Sequence, residues 1–364
     1  MSEPTAADTA PLPREELARR AGVSSEAVAL LRACEVVDLH LDAFIPARLL
    51  GRDLRRRGGT GPLGGRFFGH LDVPRALDGG LTGAMWSITT NVARGARGRL
   101  EALRRNVERL LALFASTDGA VQCVRTAAAY RAARARGSHA AMIAVQGGNA
   151  FEAAADGPAA VPGDWIVRVT LVHLTSSVYG STSSPAAALA GRRRGLTERG
   201  RVFVRQLDEA RVFVDLAHAD ARTFWDVVEV HDRELPLICT HTGVRGVREH
   251  WRNLDDAQLR AVAESGGVIG VMFHGAFLSR RGGPKDVRMV VEHLEHVIRV
   301  AGEQAAAIGS DYDGCIVPPP DLRDGAVGYA RLVQAMLEAG WREERIRRVL
   351  GGNFLACFER MRPG

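Results

Sequence analysis

The stretch "DLHLD" sets His40 and Asp42 two residues apart. Alternate side chains of an extended segment point to the same side, so this imidazole and carboxylate can face one metal ion. Other apolar runs also finish on ionisable residues. His173 ends "WIVRVTLVH", His218 ends "RVFVDLAH", His241 ends "LPLICTH", and Asp311 falls in "AAAIGSDYD". Four histidines and two aspartates form a nitrogen-and-oxygen donor set suited to zinc or a similar divalent ion. Such an ion lowers the pKa of bound water toward ~7 and so provides a nucleophile at neutral pH. Taken alone, His40 or His241 reads as a hydrogen-bonded structural histidine and Asp311 as a turn cap. Their recurrence at the ends of separate runs is what points to a site. Asp313 reads as structural, orienting its loop. His70, His139, His231, His250, His293 and His296 read as surface or packing residues, as does His274, which also ends a run and is placed to line the same mouth.

These residues need a scaffold that brings run ends together. The strand candidates are "CEVVDLH", "GAMWSITT", "AAMIAVQ", "WIVRVTLVH", "RVFVDLAH", "LPLICTH", "GGVIGVMFH" and "AAAIGSDYD". Helical patterns such as "ERGRVFVRQLDEA", "ARTFWDVVEVHD", "DDAQLRAVAES" and "VRMVVEHLEHVIRV" separate the later ones, implying βαβ units and a parallel sheet. The strands are near-continuously apolar, as expected when both faces are buried. Eight of them predict a (β/α)8 TIM barrel, whose C-terminal face gathers the run ends. The rival is a doubly wound sheet, but its GxGxxG signature after the first strand is absent. Residues 48–74 and 180–196 read as surface loops near the mouth, and "REERIRRVLGGNFLACFERM" as closing helices. Residues 1–33 read as a polar lead and one helix, with Ser24, Ser25 and Glu26 near its start. The barrel domain is then 34–364, with no internal repeat and no linker between domains.

Composition sets further bounds. With 364 residues, 46% hydrophobic and 25% charged, the chain suits a globular protein. No apolar run reaches the roughly 18 residues of a membrane helix, and the first twenty residues hold no apolar signal core. Five cysteines, never spaced CxxC, read as reduced, mostly core thiols of a cytoplasmic protein. The net charge of +6 raises nucleic acid as a partner. Lys285 is the only lysine, however, so the charge is carried by arginine, as in a GC-rich bacterial genome. Stretches such as "RLEALRRNVERLLALF" set those arginines on solvated helix faces, and no nucleic-acid module accompanies them. Neither nucleic acid nor membrane is therefore expected as a partner.

The chain resembles the membrane dipeptidase (renal dipeptidase) family of metallopeptidases, within the amidohydrolase-like barrels, from about residue 34 to the end. The resemblance is carried, in order, by "VVDLHLD", "GGLTGAMWS", "VRVTLVH", "GLTERGRVFVRQLDEARVFVDLAH", "THTGVRG", "RNLDDAQLRAVAESGGVIGV", "IGSDYDG" and "GGNFLACFERM". It implies that His40, Asp42 and Asp311 ligate one metal ion, and that His218 and His241 hold a second. It also implies that His173 binds the scissile carbonyl or developing oxyanion. Arg252 would clamp the substrate carboxylate with its guanidinium fork. Asp311 would shuttle the proton from the metal-activated water to the leaving amine. A homodimer is expected by the same analogy.

One position departs from that pattern. The family's third strand ends in a glutamate that bridges the metals, whereas "AMIAVQGG" ends on Gln146. An amide offers one neutral carbonyl oxygen and an NH2 group that cannot ligate. Two dications roughly 3.5–4 Å apart repel by something on the order of 20 kcal/mol at an effective dielectric of about 20. Loss of the bridging charge therefore falls hardest on double occupancy. The site holds one ion, two more weakly, or none; Gln146 then bonds a ligand or nearby backbone. "LTSSVYGSTSSP" after His173 is a second departure and bears on substrate preference. The leading expectation is a hydrolase cleaving the amide of dipeptides or related small substrates through a metal-activated water. The alternatives are a catalytically impaired member that binds a small ligand or partner, and a hydrolase of a non-peptide amide or lactam.

Overall fold

The computed structural model describes residues 9–61, 63–91, 93–185 and 195–364. Nine strands form one sheet: β1 (Val37–Leu41), β2 (Gly83–Thr89), β3 (Val121–Cys123), β4 (His139–Gln146), β5 (Ile166–Thr170), β6 (Phe213–Asp215), β7 (Cys239–Thr242), β8 (Ile269–Val271) and β9 (Ala306–Ile308). Eight run in the order β6-β5-β4-β2-β1-β9-β8-β7, all parallel, and β3 pairs outside this path with the start of β4. The ring closes where Asp215 bridges Ile238 and the Leu216 N–H donates to the Ile238 carbonyl at 2.8 Å. The architecture is thus the eight-stranded barrel that the apolar runs predict. The ninth strand, "VQC", is a short addition that the pattern does not reveal.

Helices surround the barrel, and several start at side-chain caps. Thr126, Thr197, Asp220 and Asp255 each accept a backbone N–H of the following first turn, which fixes where the chain leaves a loop. At the C-terminus, Phe354 and Phe358 of helix Asn353–Met361 pack on Phe213 of β6, with ring centroids 6.0 and 6.2 Å away. The N-terminal lead carries two helices, Arg14–Ala21 and Ser25–Ala33, rather than the single one expected. Gly22, in the left-handed region at φ 66°, separates them. Leu17 and Leu31 are buried in the same core as Tyr329 and Leu332 of helix Gly325–Glu338. No described helix is long and apolar enough to cross a membrane.

One wall of the barrel is packed backbone against backbone. A Cβ at Gly309 would lie 1.7 Å from the Thr240 carbonyl oxygen, and one at Gly270 would lie 2.0 Å from it. Only glycine allows this approach, which brings the turn after β9 against β7.

Candidate metal centre

β1 and β5 are not neighbours in the sheet, and neither are β1 and β7. Contacts between their side chains therefore cross the barrel interior. The His40 and His241 rings are 3.9 Å apart between centroids, and His218 and His241 are 4.9 Å apart. His40, His241 and Asp311 offer ligand atoms all within 4.8 Å of one another. His218 Nε2 lies 2.9 Å from His241 Nε2, and His40 Nε2 lies 3.4 Å from Asp42 Oδ2 and 3.7 Å from Asp311 Oδ1. His173 places its ring edge-on to His218 at 4.7 Å. The run-end residues singled out in the sequence thus meet at one mouth.

The local backbone explains the aim of two of them. His218 and Asp311 sit at φ 67° and 62°, in the left-handed region that residues other than glycine rarely adopt. Each turns sharply just past its strand. Asp313 takes no part in the cluster: its carboxylate accepts the backbone N–H groups of Gly69, His70 and Leu71, as a structural residue would.

A polar layer lies beneath the histidines. Arg168 of β5 is fully buried in a strand whose other residues, apart from Thr170, are apolar. Its Nη2 donates to His40 Nδ1 and to Ser87 Oγ, both at 2.8 Å, and its Nη1 lies 3.4 Å from Asp215 Oδ2. Asp215 also accepts the hydroxyls of Thr170 at 2.6 Å and Thr240 at 2.7 Å. These bonds offset part of the cost of burying the pair, while Arg168 Nε is left without a hydrogen-bond partner. Sequence reasoning missed Arg168, Ser87, Asp215 and Thr240, although a lone arginine within "WIVRVTLVH" was a visible signal.

Gln146 reaches the same mouth, its Nε2 3.4 Å from His218 Nε2. Arg252 is buried rather than a solvated surface charge; one guanidinium nitrogen donates to the His241 carbonyl at 2.8 Å. A cavity of about 100 Å³ opens beside His218 and Arg252, bounded also by Ser183, Asp220 and Trp251. A larger polar cleft of about 450 Å³ follows His173, lined by Asn149, Ser176, Ser177 and Thr197. Part of the expected loop 180–196 lies outside the described residues.

Burial dominates the electrostatics. It holds His218 and His241 well below the ordinary histidine value, with nearby cationic groups acting in the same direction, and it pushes His173 down to about 4. Asp311 is driven far above the usual carboxylate range by burial and then by the Asp42 charge beside it. A dication among these groups would reverse the direction at Asp311. Buried polar atoms without a hydrogen-bond partner include His40 Nε2, Asp42 Oδ1, Gln146 Oε1, His218 Nδ1 and Arg252 Nε. Buried polar atoms normally find partners. This concentration of unpaired imidazole and carboxylate atoms fits a divalent ion with a small polar ligand beside it.

Comparison with known proteins agrees with this geometry. The family model described as membrane dipeptidase, peptidase family M19, matches residues 24–362, which includes helix Ser25–Ala33. A Klebsiella pneumoniae protein, described as an uncharacterized protein in the pqqA 5′ region, is 35% identical over 164 residues. That match covers 44% of this chain and 59% of the relative, under two thirds of its length. Among solved structures, dipeptidase AC, a metallopeptidase of family M19, is similar with a TM-score of 0.77 at 25% identity, covering 91% of this chain and 99% of its own. A Rhodobacter sphaeroides metallopeptidase, liganded with a phosphinate mimic of the dipeptide L-Ala-D-Ala, has a TM-score of 0.75 at 25% identity, covering 90% and 99%. The probable dipeptidase PvdM of Pseudomonas aeruginosa, at 16% identity and a TM-score of 0.75 over 95% and 98%, is alike in fold.

Proposed function

The chain belongs to the membrane dipeptidase family, peptidase family M19, and from that premise we propose a metal-dependent hydrolase that cleaves the amide bond of dipeptides or related small amides. The observation that carries this reading is the convergence of His40, His241 and Asp311 with the His218–His241 nitrogen pair inside the barrel mouth. The phosphinate mimic of L-Ala-D-Ala bound by the Rhodobacter sphaeroides protein makes a short dipeptide the first substrate to test.

His218, His241, Asp311, Asp42 and His40 are the residues that would hold divalent metal. When bound, the metal supplies the positive charge that activates water and polarises the scissile carbonyl. The chain's own groups provide the rest. Asp311, which stands with His40 and His241 in the candidate metal group, accepts the proton of the attacking water and returns it to the leaving amine. His173, held neutral at working pH by its burial, donates a hydrogen bond to the carbonyl oxygen as negative charge develops there. Arg252, its Nε without a partner, bonds the substrate carboxylate from the cavity beside His218. The reading takes zinc as the metal from the donor set, the cytoplasm as the compartment from five free thiols, and a homodimer by analogy.

The test is metal content measured together with hydrolysis of a dipeptide panel that includes L-Ala-D-Ala, with zinc or manganese added. Metal-dependent turnover, abolished by chelator and by His241→Gln, is expected. Protein that holds no divalent metal and cleaves no dipeptide would end this reading.

A further inference from the structure

The rim of the mouth beside β1 and β2 carries an arginine without a partner of its own. Arg48 lies on helix Phe44–Leu50, which leaves β1 just after Asp42. Its guanidinium sits over the Phe44 ring, 5.5 Å from the centroid. Its Nη2 donates to Thr89 Oγ1 at 3.3 Å, its only hydrogen bond among the described residues. Arg48 Nε is enclosed and unpaired, and so is Thr90 Oγ1 at the same end of β2. An arginine that served only to cover apolar surface would carry its head group out to water. This one is held within the rim, with a donor to spare where buried polar atoms normally have partners.

The charges around it are one-sided. Burial works against the Arg48 cation, the Asp42 carboxylate favours it, and the Arg109 and Arg94 guanidiniums oppose it. Asp42, the one described carboxylate in that group, already faces His40 Nε2 at 3.4 Å in the metal cluster. The neighbouring strand end adds no negative charge. Thr89 lies in register with Gln146, an amide whose Oε1 is unpaired. Three guanidiniums with no carboxylate to spare make a place for an anion that arrives with the substrate.

The place also has a direction. Around the closed sheet, β2 stands diametrically opposite β7, and Arg252 lies in the segment that follows β7. His40 of β1 and His241 of β7 meet in the barrel interior. A substrate with its carboxylate on Arg252 and its amide at the metal cluster therefore extends its amino end toward Arg48.

We propose that Arg48, steadied by Phe44 and Thr89, is a specificity-determining residue that binds a carboxylate carried on the amino side of the cleaved bond. The preferred substrates are then dipeptides whose first residue is glutamate or aspartate, or amino acids acylated with a dicarboxylic acid. This inference rests on the metallohydrolase reading and on Arg252 as the anchor of the other end.

The experiment compares kcat and KM of the zinc-loaded, full-length protein on X-D-Ala and X-L-Ala, where X is Glu, Gln, Ala, Lys or N-succinyl. Glutamine matches glutamate in shape and removes only its charge. Glu should exceed Gln in kcat/KM by roughly ten- to a hundredfold, the worth of a hydrogen bond to a charged partner. The difference should lie mainly in KM. The N-succinyl arm tells an acidic side chain from an acyl carboxylate. Arg48→Met should bring the Glu-to-Gln ratio to about one, and Arg48→Lys, which keeps the charge, should restore part of it. Calorimetry with phosphinate mimics of the Glu and Gln dipeptides should show the same affinity ratio without turnover. A wild-type protein that prefers neither Glu over Gln nor N-succinyl over Ala overturns this inference and leaves the proposed reaction standing. So does a preference that survives Arg48→Met. A protein that neither cleaves nor binds any of these compounds overturns both.

Discussion

His139 shows how a single buried side chain sets a pH limit on the protein. Its Nδ1 donates to the Leu81 carbonyl at 3.0 Å, and its Nε2 accepts the Trp86 indole N–H at 3.1 Å. Both contacts suit the neutral ring; a protonated one would set two donors against each other. Burial accordingly pushes His139 down to about 4, and His293 likewise. Since the unfolded value is about 6.5, the unfolded chain takes up protons first as pH falls. The contribution is complete above about pH 6.5 and is lost progressively as pH drops toward about 4. Unfolding free energies from urea titrations with chelator present, so that metal release adds nothing, should fall between pH 7.5 and 4.5 by up to roughly 3 kcal/mol per histidine. An unchanged free energy over that interval would contradict the assignment. At this scale the sequence was half legible. Run-end residues such as His40, His218 and His241 announce themselves because an ionisable group closing an apolar run is unusual. Arg168 and Asp215 do not, because their meaning lies in partners across the barrel, which spacing along one strand cannot reveal.

The strands and helices that carry these residues owe their legibility to length and capping. Eight apolar runs were readable because strands buried on both faces need continuous hydrophobic sequence. β3 was not, because three residues of "VQC" hold no period. The helix Arg14–Ala21 was missed for a related reason: no side chain caps its start at Pro13. Ser24, by contrast, accepts the Ala27 N–H and donates its hydroxyl to Gln334 at 2.8 Å, which ties the lead to helix Gly325–Glu338. Ser24→Ala should therefore cost about 1 kcal/mol of unfolding free energy, read from chemical denaturation. Phe354→Ala, which empties a fully packed position beneath β6, should cost more, about 3–5 kcal/mol. If the two losses prove equal, the packing of the C-terminal helix on the barrel is less close than its ring contacts indicate.

For the molecule as a whole, divalent metal bound at this site would be a folding partner as well as a reagent. Its donors come from strands far apart in the chain, so only the closed barrel assembles them. At a free ion concentration a hundred times the dissociation constant, binding stabilises the native state by about 2.7 kcal/mol. For a chain of 364 residues, that corresponds to roughly 3–4 °C in melting temperature. Chelator should lower the melting temperature by that amount, and readdition of zinc should restore it. A melting temperature indifferent to chelator would mean that the mouth is held by its own hydrogen bonds. The eight-stranded barrel itself was legible from the order of elements. The closure through a single bridge at Asp215 was not, since it depends on how far the sheet coils.

The close approach of Gly270 and Gly309 to the Thr240 carbonyl has a consequence for tolerance to mutation. Thr240 immediately precedes His241, and Gly309 lies two residues before Asp311, so the separation of an imidazole from a carboxylate is set by backbone atoms in contact rather than by rotamers. A library that varies every position around the mouth should therefore find two deep intolerances where there is no functional group to lose. Even alanine should fail at both positions, while changes at Gln146 are screened for gain.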